Sequence, residues 1–124
     1  MLSISDTFNL ISNGEDFYIS LGNFLDEFYR SDTNQRILII GTEPVDLNIP
    51  AYQKAFLAAA VHKLANDYNL KVPDWVFKSE YYSHDEPYFD CNARGNLRKL
   101  FLYKSPTEFK HRNIFVDENV LERV

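Results

Sequence analysis

Apolar residues recur at helical spacing through two long stretches of the chain. In the first stretch the apolar stripe comprises Phe17, Leu21, Phe24, Leu25 and Phe28. In the second, residues 51–68, the stripe comprises Leu57, Val61, Leu64, Ala65 and Tyr68. Spacings of three and four residues place such side chains on one face of a helix. We therefore predict two helices, and we expect the second to lie centrally, because Ala58, Ala59 and Ala60 let a neighbouring helix approach closely.

Capping signals predict a shorter helix at the start of the chain. Ser3 or Ser5 can cap it, Asp6 lies in its first turn, and Asn13 with Gly14 ends it. The run of residues 37–40, Ile-Leu-Ile-Ile, fits either a strand or a buried helical turn. We favour a helix, because no second convincing strand is available for pairing. Residues 43–50 predict a loop.

Turn and cap residues divide the second half into short elements. Pro73 and Asp74 predict a turn into a short helix capped by Asp74, with Trp75 at least partly buried beside the central helix. Residues 80–91 are aromatic and acidic without a clear period, which is typical of a structured loop. Residues 92–103 predict helical or extended structure. Ser105 followed by Glu108 predicts a helix start closed by a capping box, with a proline at the first helical position.

The end of the chain is apolar enough to be anchored to the core. Asp117 is expected to cap a last short helix, in which Val120, Leu121 and Val124 share a face. These elements together predict a mainly α fold, a single compact helical domain over residues 1–124, and they leave open whether it contains one short strand pair. The length of 124 residues suits one hydrophobic core.

Composition places the chain among cytoplasmic proteins. Cys91 is the single cysteine, so no disulfide can form within the chain, which suits a reducing compartment. The first residues lack a basic segment, which argues against a signal peptide, and the longest apolar runs are too short to span a bilayer. We expect a cytoplasmic protein that is not bound to a membrane.

Charge is sorted along the chain. Residues 1–50 carry eight acids and two arginines, a local net charge of −6. Residues 93–112 carry six basic residues and one acid, a local net charge of +5, in a chain whose net charge is −5. Such sorting informs on partners and not on fold. The basic residues of this segment are Arg94, Arg98, Lys99, Lys104, Lys110 and Arg112.

The basic segment has two interpretations. On a helix Arg94 and Arg98 would share a face beside Lys99, and their planar guanidinium groups suit phosphates or carboxylates. The alternative is an ordinary solvated surface. Arg112 and Asn113 form either an outward polar site or a buried hydrogen-bond hub, and we favour the hub. The candidate set for binding a partner or nucleic acid is Arg94, Arg98, Lys99, Lys110, Arg112 and Asn113.

The sequence contains no recognisable motif for catalysis or for a metal, and we expect no cofactor. His62 has no second ligand at helical spacing, and His84, Asp85 and Glu86 match no zinc arrangement. The glycines are isolated, so no phosphate-binding loop is present. We predict a protein that is not an enzyme; a small enzyme that uses the residues around His84, or Cys91, is the least favoured alternative.

The tail motif SPTEFKHRNIFV at residues 105–116, followed by Asn119, Leu121 and Arg123, carries a resemblance. With Ala51 and Tyr52 at a helix start and the segment VPDWV at residues 72–76, the chain from about 51 to 124 resembles a group of short bacterial proteins. These are encoded beside nucleotidyltransferase-like proteins in an arrangement typical of toxin–antitoxin pairs. The resemblance implies an antitoxin-like protein that binds and restrains a toxin partner, and it assigns no catalytic residue.

Three further alternatives stay open at this point. A nucleic-acid-binding transcriptional regulator is the main one; the basic segment favours it, whereas the acidic net charge and the lack of a clear helix-turn-helix oppose it. The partner's basic groove could instead be filled by the acidic, Tyr-containing front of this chain. Association of identical chains into a homo-oligomer is the third.

Overall fold

The first two helices are fixed by side chains that cap their free N–H groups. The computed structural model describes residues 1–45 and 48–123. Helix α1, Ile4–Ser12, starts with a capping box in which Ser3 Oγ accepts from Asp6 N–H and the Asp6 carboxylate accepts from Ser3 N–H. Helix α2, Phe17–Arg30, is capped by Asp16, which accepts from Ile19 N–H. Its predicted apolar stripe is buried.

The ambiguous isoleucine-rich run is helical, as we favoured. Helix α3, Thr33–Gly41, begins with a second capping box between Asp32 and Gln35, with N–H···O distances of 2.8 and 3.0 Å. Ile39 and Ile40 enter the core, whereas Leu38 is exposed. The predicted loop at residues 43–50 includes Asp46 and Leu47, which lie outside the described residues.

Helix α4 is the centre of the domain. It runs over Ala51–Asp67, and every residue from Ala55 to Val61 is buried, since small alanines leave room for elements on several sides. It packs against the tail of the chain and against two short 3₁₀ turns, Asp74–Phe77 and Ser79–Tyr81. Trp75 is only 4% exposed and donates from Nε1 to the Ile40 carbonyl (3.0 Å), which confirms its predicted burial.

The remaining elements are short and surround one small sheet. Strands β1, Tyr88–Phe89, and β2, Ile114–Phe115, pair in parallel, with Tyr88 opposite Ile114 and Phe89 opposite Phe115. A third 3₁₀ turn, Asp90–Asn92, leads into helix α5, Gly95–Lys104. Helix α6, Thr107–Lys110, precedes β2. This pair is the short strand pair that the sequence left open.

Three predicted caps are wrong. Ser105 does not cap α6; its Oγ instead accepts from Val116 N–H (2.8 Å), because the returning tail brings that buried donor next to it. Asp74 makes no side-chain cap, because Pro73 occupies the cap position and Asp74 is already the first residue of the 3₁₀ turn. Asp117 accepts from Asn119 N–H (2.8 Å) in a turn, and no helix follows in the described residues. Val124 lies outside those residues.

One contiguous core joins the start of the chain to its end. Ile4 and Phe8 of α1 belong to it, as do Phe109, Ile114 and Val116 of the tail. The predicted anchoring of the tail is therefore confirmed, and the fold is a single compact, mainly helical domain. Within residues 1–45 and 48–123, none of the helices has the length and apolar content that crossing a bilayer needs.

Candidate functional site

Helix α5 lies at the edge of the domain and leaves most of its surface uncovered. Of its residues, all of which are described, Phe101 alone is buried, and Phe101 lies outside the main core. Leu97, Leu100 and Leu102 are each nearly half exposed, and Tyr103 is 83% exposed. A leucine-containing helix held by one buried ring is an unusual arrangement for a small soluble domain, in which apolar helix faces normally pack inward.

The sheet beside α5 holds one arginine of the predicted set in a defined position. The guanidinium carbon of Arg98 lies 4.0 Å from the centre of the Phe89 ring. The Phe89 ring in turn stacks on Phe115, with ring centres 5.0 Å apart and an angle of 19° between the planes. Since Phe89 and Phe115 are paired across β1 and β2, the sheet positions Arg98 through a cation–π contact.

Arg94 and Arg98 meet at a pocket of about 250 Å³ between β1 and the start of α5. The sequence predicted that they would share a helix face. Arg94 is instead the residue before the first turn of α5, and Arg98 lies in that turn. The turn before α5 has positive φ at Asn92 (52°) and Gly95 (56°). We call this the Arg94–Arg98 pocket; its lining includes Pro87, Tyr88, Phe89, Asn92, Arg94 and Arg98.

These two arginines differ from the other arginines of the chain. Arg30 pairs with Glu27 (3.0 Å) and Arg123 with Asp26 (2.9 Å). Arg36 and Arg112 donate to backbone carbonyl groups. Within residues 1–45 and 48–123, the guanidinium groups of Arg94 and Arg98 have neither a carboxylate partner nor a hydrogen-bond acceptor. Their N–H groups are available to an anion from outside the chain.

The other members of the predicted set do not join this pocket. Lys99 is exposed on α5 and lies outside the lining. Lys110 donates from Nζ to the Tyr103 carbonyl (2.9 Å), which helps to hold the end of α5. Asn113 has a φ of 66° and donates from Nδ2 to the Ser83 carbonyl (3.3 Å), so it holds a turn together.

Arg112 is a buried hub, as favoured from the sequence, and its place among partner-binding residues is corrected. It is 1% exposed. Nη1 donates to the Glu108 carbonyl (2.9 Å) and lies 3.1 Å from His62 Nδ1, and Nη2 donates to the Val76 carbonyl (2.9 Å). Its guanidinium carbon lies 4.8 Å from the Tyr82 ring centre. It therefore connects α4, α6 and the first 3₁₀ turn, and cannot reach a partner.

A tyrosine–aspartate network beneath β1 was not predicted. Asp90 is buried, and its Oδ1 accepts from the Tyr18 hydroxyl and, at 3.3 Å, from the Tyr88 hydroxyl. Partial burial, and then the hydrogen bond with Asp90, raise the pKa of Tyr18, so this phenol stays protonated. The Tyr52 ring stacks on Tyr88 at 4.4 Å. The network connects Tyr88, which lines the Arg94–Arg98 pocket, to α2 and α4. The only signal for it in the sequence was the high tyrosine content.

The residues of the enzyme alternative are dispersed on the surface. His84 Nε2 contacts the Ser79 carbonyl (2.7 Å), and Asp85 and Glu86 are exposed. Desolvation and the neighbouring Asp90 raise the pKa of the Cys91 thiol, which reduces its thiolate fraction. In the part of the chain that the structure describes, no three His, Cys, Asp or Glu side chains are grouped in a way that could hold a metal ion.

No protein-family model matches this sequence, and the comparisons with curated proteins and with solved structures give no match either. The uncovered surface of α5 and the pocket at its start are the features of this chain that bear on its function.

Proposed function

We propose that this protein is a non-enzymatic interaction module of the antitoxin type, which binds and restrains a nucleotidyltransferase-like partner in the cytoplasm. The observation that carries the proposal is the surface of α5, where exposed leucines lie beside two arginines that have no acceptor in the described residues. The resemblance of the tail motif supplies the kind of partner.

The apolar part of this surface favours a protein as the partner. Leu97 and Leu100 are three residues apart on α5, so they lie on one flank of the helix, next to the buried Phe101. Covering apolar area that is otherwise left in water contributes about 25 cal/mol per Å² before the costs of association. A nucleic-acid backbone would not cover leucines in this way.

The charge of the surface defines the face of the partner. Arg94, Arg98 and Lys99 lie at the start of α5, in a chain whose net charge is −5. A basic patch on an acidic protein attracts a local acidic surface and repels extended polyanions at longer range. Carboxylates of the partner, among them those that would bind its metal ions, are a matching target.

Co-expression with the nucleotidyltransferase-like protein that the resemblance implies as the product of a neighbouring gene tests the proposal. We expect a stable 1:1 or higher complex, which Leu100→Glu on α5 weakens strongly. Leu38→Glu is the matched control, because Leu38 is also an exposed leucine but lies on α3. Equal loss of binding in both variants would reject α5 as the interface, and no complex with the unmodified chain would reject the proposed function.

Binding of a DNA fragment at several salt concentrations distinguishes the proposed function from the nucleic-acid-binding alternative. If a labelled promoter fragment bound this chain tightly, and binding weakened steeply with rising salt, the protein would be a transcriptional regulator instead.

A further inference from the structure

The Arg94–Arg98 pocket has the features of a receptor for a single anionic group. Arg98 lies with its guanidinium carbon 4.0 Å from the Phe89 ring centre. Contact through the face of the guanidinium group leaves the N–H groups at its edge free to form two parallel hydrogen bonds. Arg94 lines the same pocket, and so does Asn92, whose side chain carries a neutral amide.

The position of Arg98 is set before any ligand arrives. Phe89 is held from below by Phe115, and the neighbouring Tyr88 and Asp90 are held by the hydroxyl of Tyr18. An arginine that is already oriented loses less side-chain entropy on binding than a free one. Lys99 has the same charge as Arg98 and is exposed like it, but Lys99 does not line the pocket.

We propose that the Arg94–Arg98 pocket receives an aspartate or glutamate side chain from the partner protein, with Arg98 as its main anchor. The proposal rests on the proposed function, because the pocket lies at the start of α5, the helix that carries the exposed leucines. A pocket of about 250 Å³ has room for a carboxylate and its methylene groups. The exposed Leu97 and Leu100 call for apolar residues next to that carboxylate, which makes an acidic protein segment a better fit than a phosphate of nucleic acid.

The first test compares two variants that remove the same charge. Arg98→Gln should weaken the complex with the nucleotidyltransferase-like protein about tenfold or more, as expected when one member of a close charge pair is lost. Lys99→Gln should weaken it less than about threefold, because Lys99 does not line the pocket and a solvated charge outside it contributes little. Equal effects would mean that only net charge matters, which would overturn the pocket while leaving α5 as the interface.

A third variant tests how Arg98 is positioned. Phe89→Leu keeps an apolar floor but removes the aromatic face beneath the guanidinium group, so the affinity should fall by about threefold, in line with an exposed cation–π contact. Melting temperatures of all three variants should stay within a few degrees of the unmodified chain. Unchanged affinity in Phe89→Leu would overturn the role of Phe89.

The second test uses the free protein and needs no partner. Titration with glutarate should shift the Nε–H resonance of Arg98 in a ¹H–¹⁵N NMR spectrum, and Arg94→Gln should reduce the response. If a single-stranded oligonucleotide shifts that resonance at lower concentration than glutarate, the pocket recognises phosphate and the proposal is wrong. If glutarate binds but no complex forms with the candidate partner, the proposed function fails and the pocket stands.

Discussion

Arg112 Nη1 lies 3.1 Å from His62 Nδ1, across 50 residues of sequence. A guanidinium group can only donate, so Nδ1 must accept, and the neutral His62 ring carries its proton on Nε2. The same Nη1 donates to the Glu108 carbonyl, and the His62 ring packs edge-on against Phe77 at 5.1 Å. The contact therefore requires an uncharged histidine beside a buried cation.

Stability should fall as the pH drops below about 6.5, the ordinary pKa of histidine. Burial, and then the charge of Arg112, lower the pKa of His62 in the folded state. Below about pH 6.5 the His62 side chain takes up a proton in the unfolded chain but stays neutral in the folded chain. The free energy of unfolding therefore decreases until the pH reaches the lowered pKa of His62 in the folded state. Urea unfolding at pH 7.5, 6.5 and 5.5 measures this.

His62→Asn is the matched control for that dependence. The asparagine side-chain oxygen can still accept a hydrogen bond from Arg112, but the side chain does not titrate. The unfolding free energy of the variant should therefore change much less over the same pH range. An unchanged slope in the variant would assign the pH effect to other groups.

Arg112→Met should destabilise the domain by about 2–4 kcal/mol. The change leaves the Val76 and Glu108 carbonyls and the His62 ring without their donor, and these groups are partly or fully buried. The loss is limited because Nε of Arg112 already lacks a hydrogen-bond partner in the described residues. Chemical denaturation checks the value; a variant as stable as the unmodified chain would mean that burying the charge cancels the benefit of its hydrogen bonds.

Trp75 should emit at short wavelength in the native protein and shift to longer wavelength on unfolding. Its ring is buried, with Phe8 and Tyr81 edge-on at 6.3 and 5.0 Å. Trp75→Phe keeps most of the packing but leaves the Ile40 carbonyl without its donor, which should cost about 1–3 kcal/mol. Native emission typical of a solvated indole would contradict the buried position.

The features of this structure that could be predicted best depend on contacts between residues that are close together in the sequence. The cap of α1 joins residues three apart, and the stripes of α2 and α4 follow from helical periodicity. Ser105 shows the limit: its local motif fits a helix cap, yet the fold brings the Val116 N–H, 11 residues away, to the same oxygen. The long-range contact satisfies a buried backbone donor, and this outweighs the local motif.

The candidate site was predictable in part for the same reason. The spacing of Arg94 and Arg98 placed them together, but the Phe89 ring that orients Arg98 depends on strand pairing between residues 26 apart in the chain. The hydrogen bond from Tyr18 to Asp90 joins residues 72 apart in the chain, and the sequence around neither residue indicates it.

Truncation after Tyr103 should abolish folding. It removes Phe109, Ile114, Val116 and Leu121 from the core, and burial of each such side chain contributes about 1.5–3 kcal/mol. Even after a large discount for chain entropy, this approaches the roughly 5–15 kcal/mol that holds a domain folded. Circular dichroism with thermal melting tests it; a truncated chain that melts cooperatively at the original temperature would show that the tail is an appendage.

Reversal of Arg94, Arg98 and Lys99 to Glu should weaken partner binding and leave the domain folded. The three side chains make no ion pair within the described residues, and the exposed contact between Arg98 and Phe89 is worth only about 0.5–1 kcal/mol, so the melting temperature should drop by a few degrees at most. Association should become slower and less sensitive to salt, because the attraction that steers this surface to an acidic partner is lost. Reversal of Arg30, Lys71 and Lys78, which neither belong to α5 nor line the pocket, makes the same change in net charge. It should leave the association rate within about threefold, as expected for charges outside an interface. If the α5 variant unfolds, its basic side chains are structural and the interface must be sought on the acidic front; if it folds and binds as before, these residues form an ordinary solvated surface.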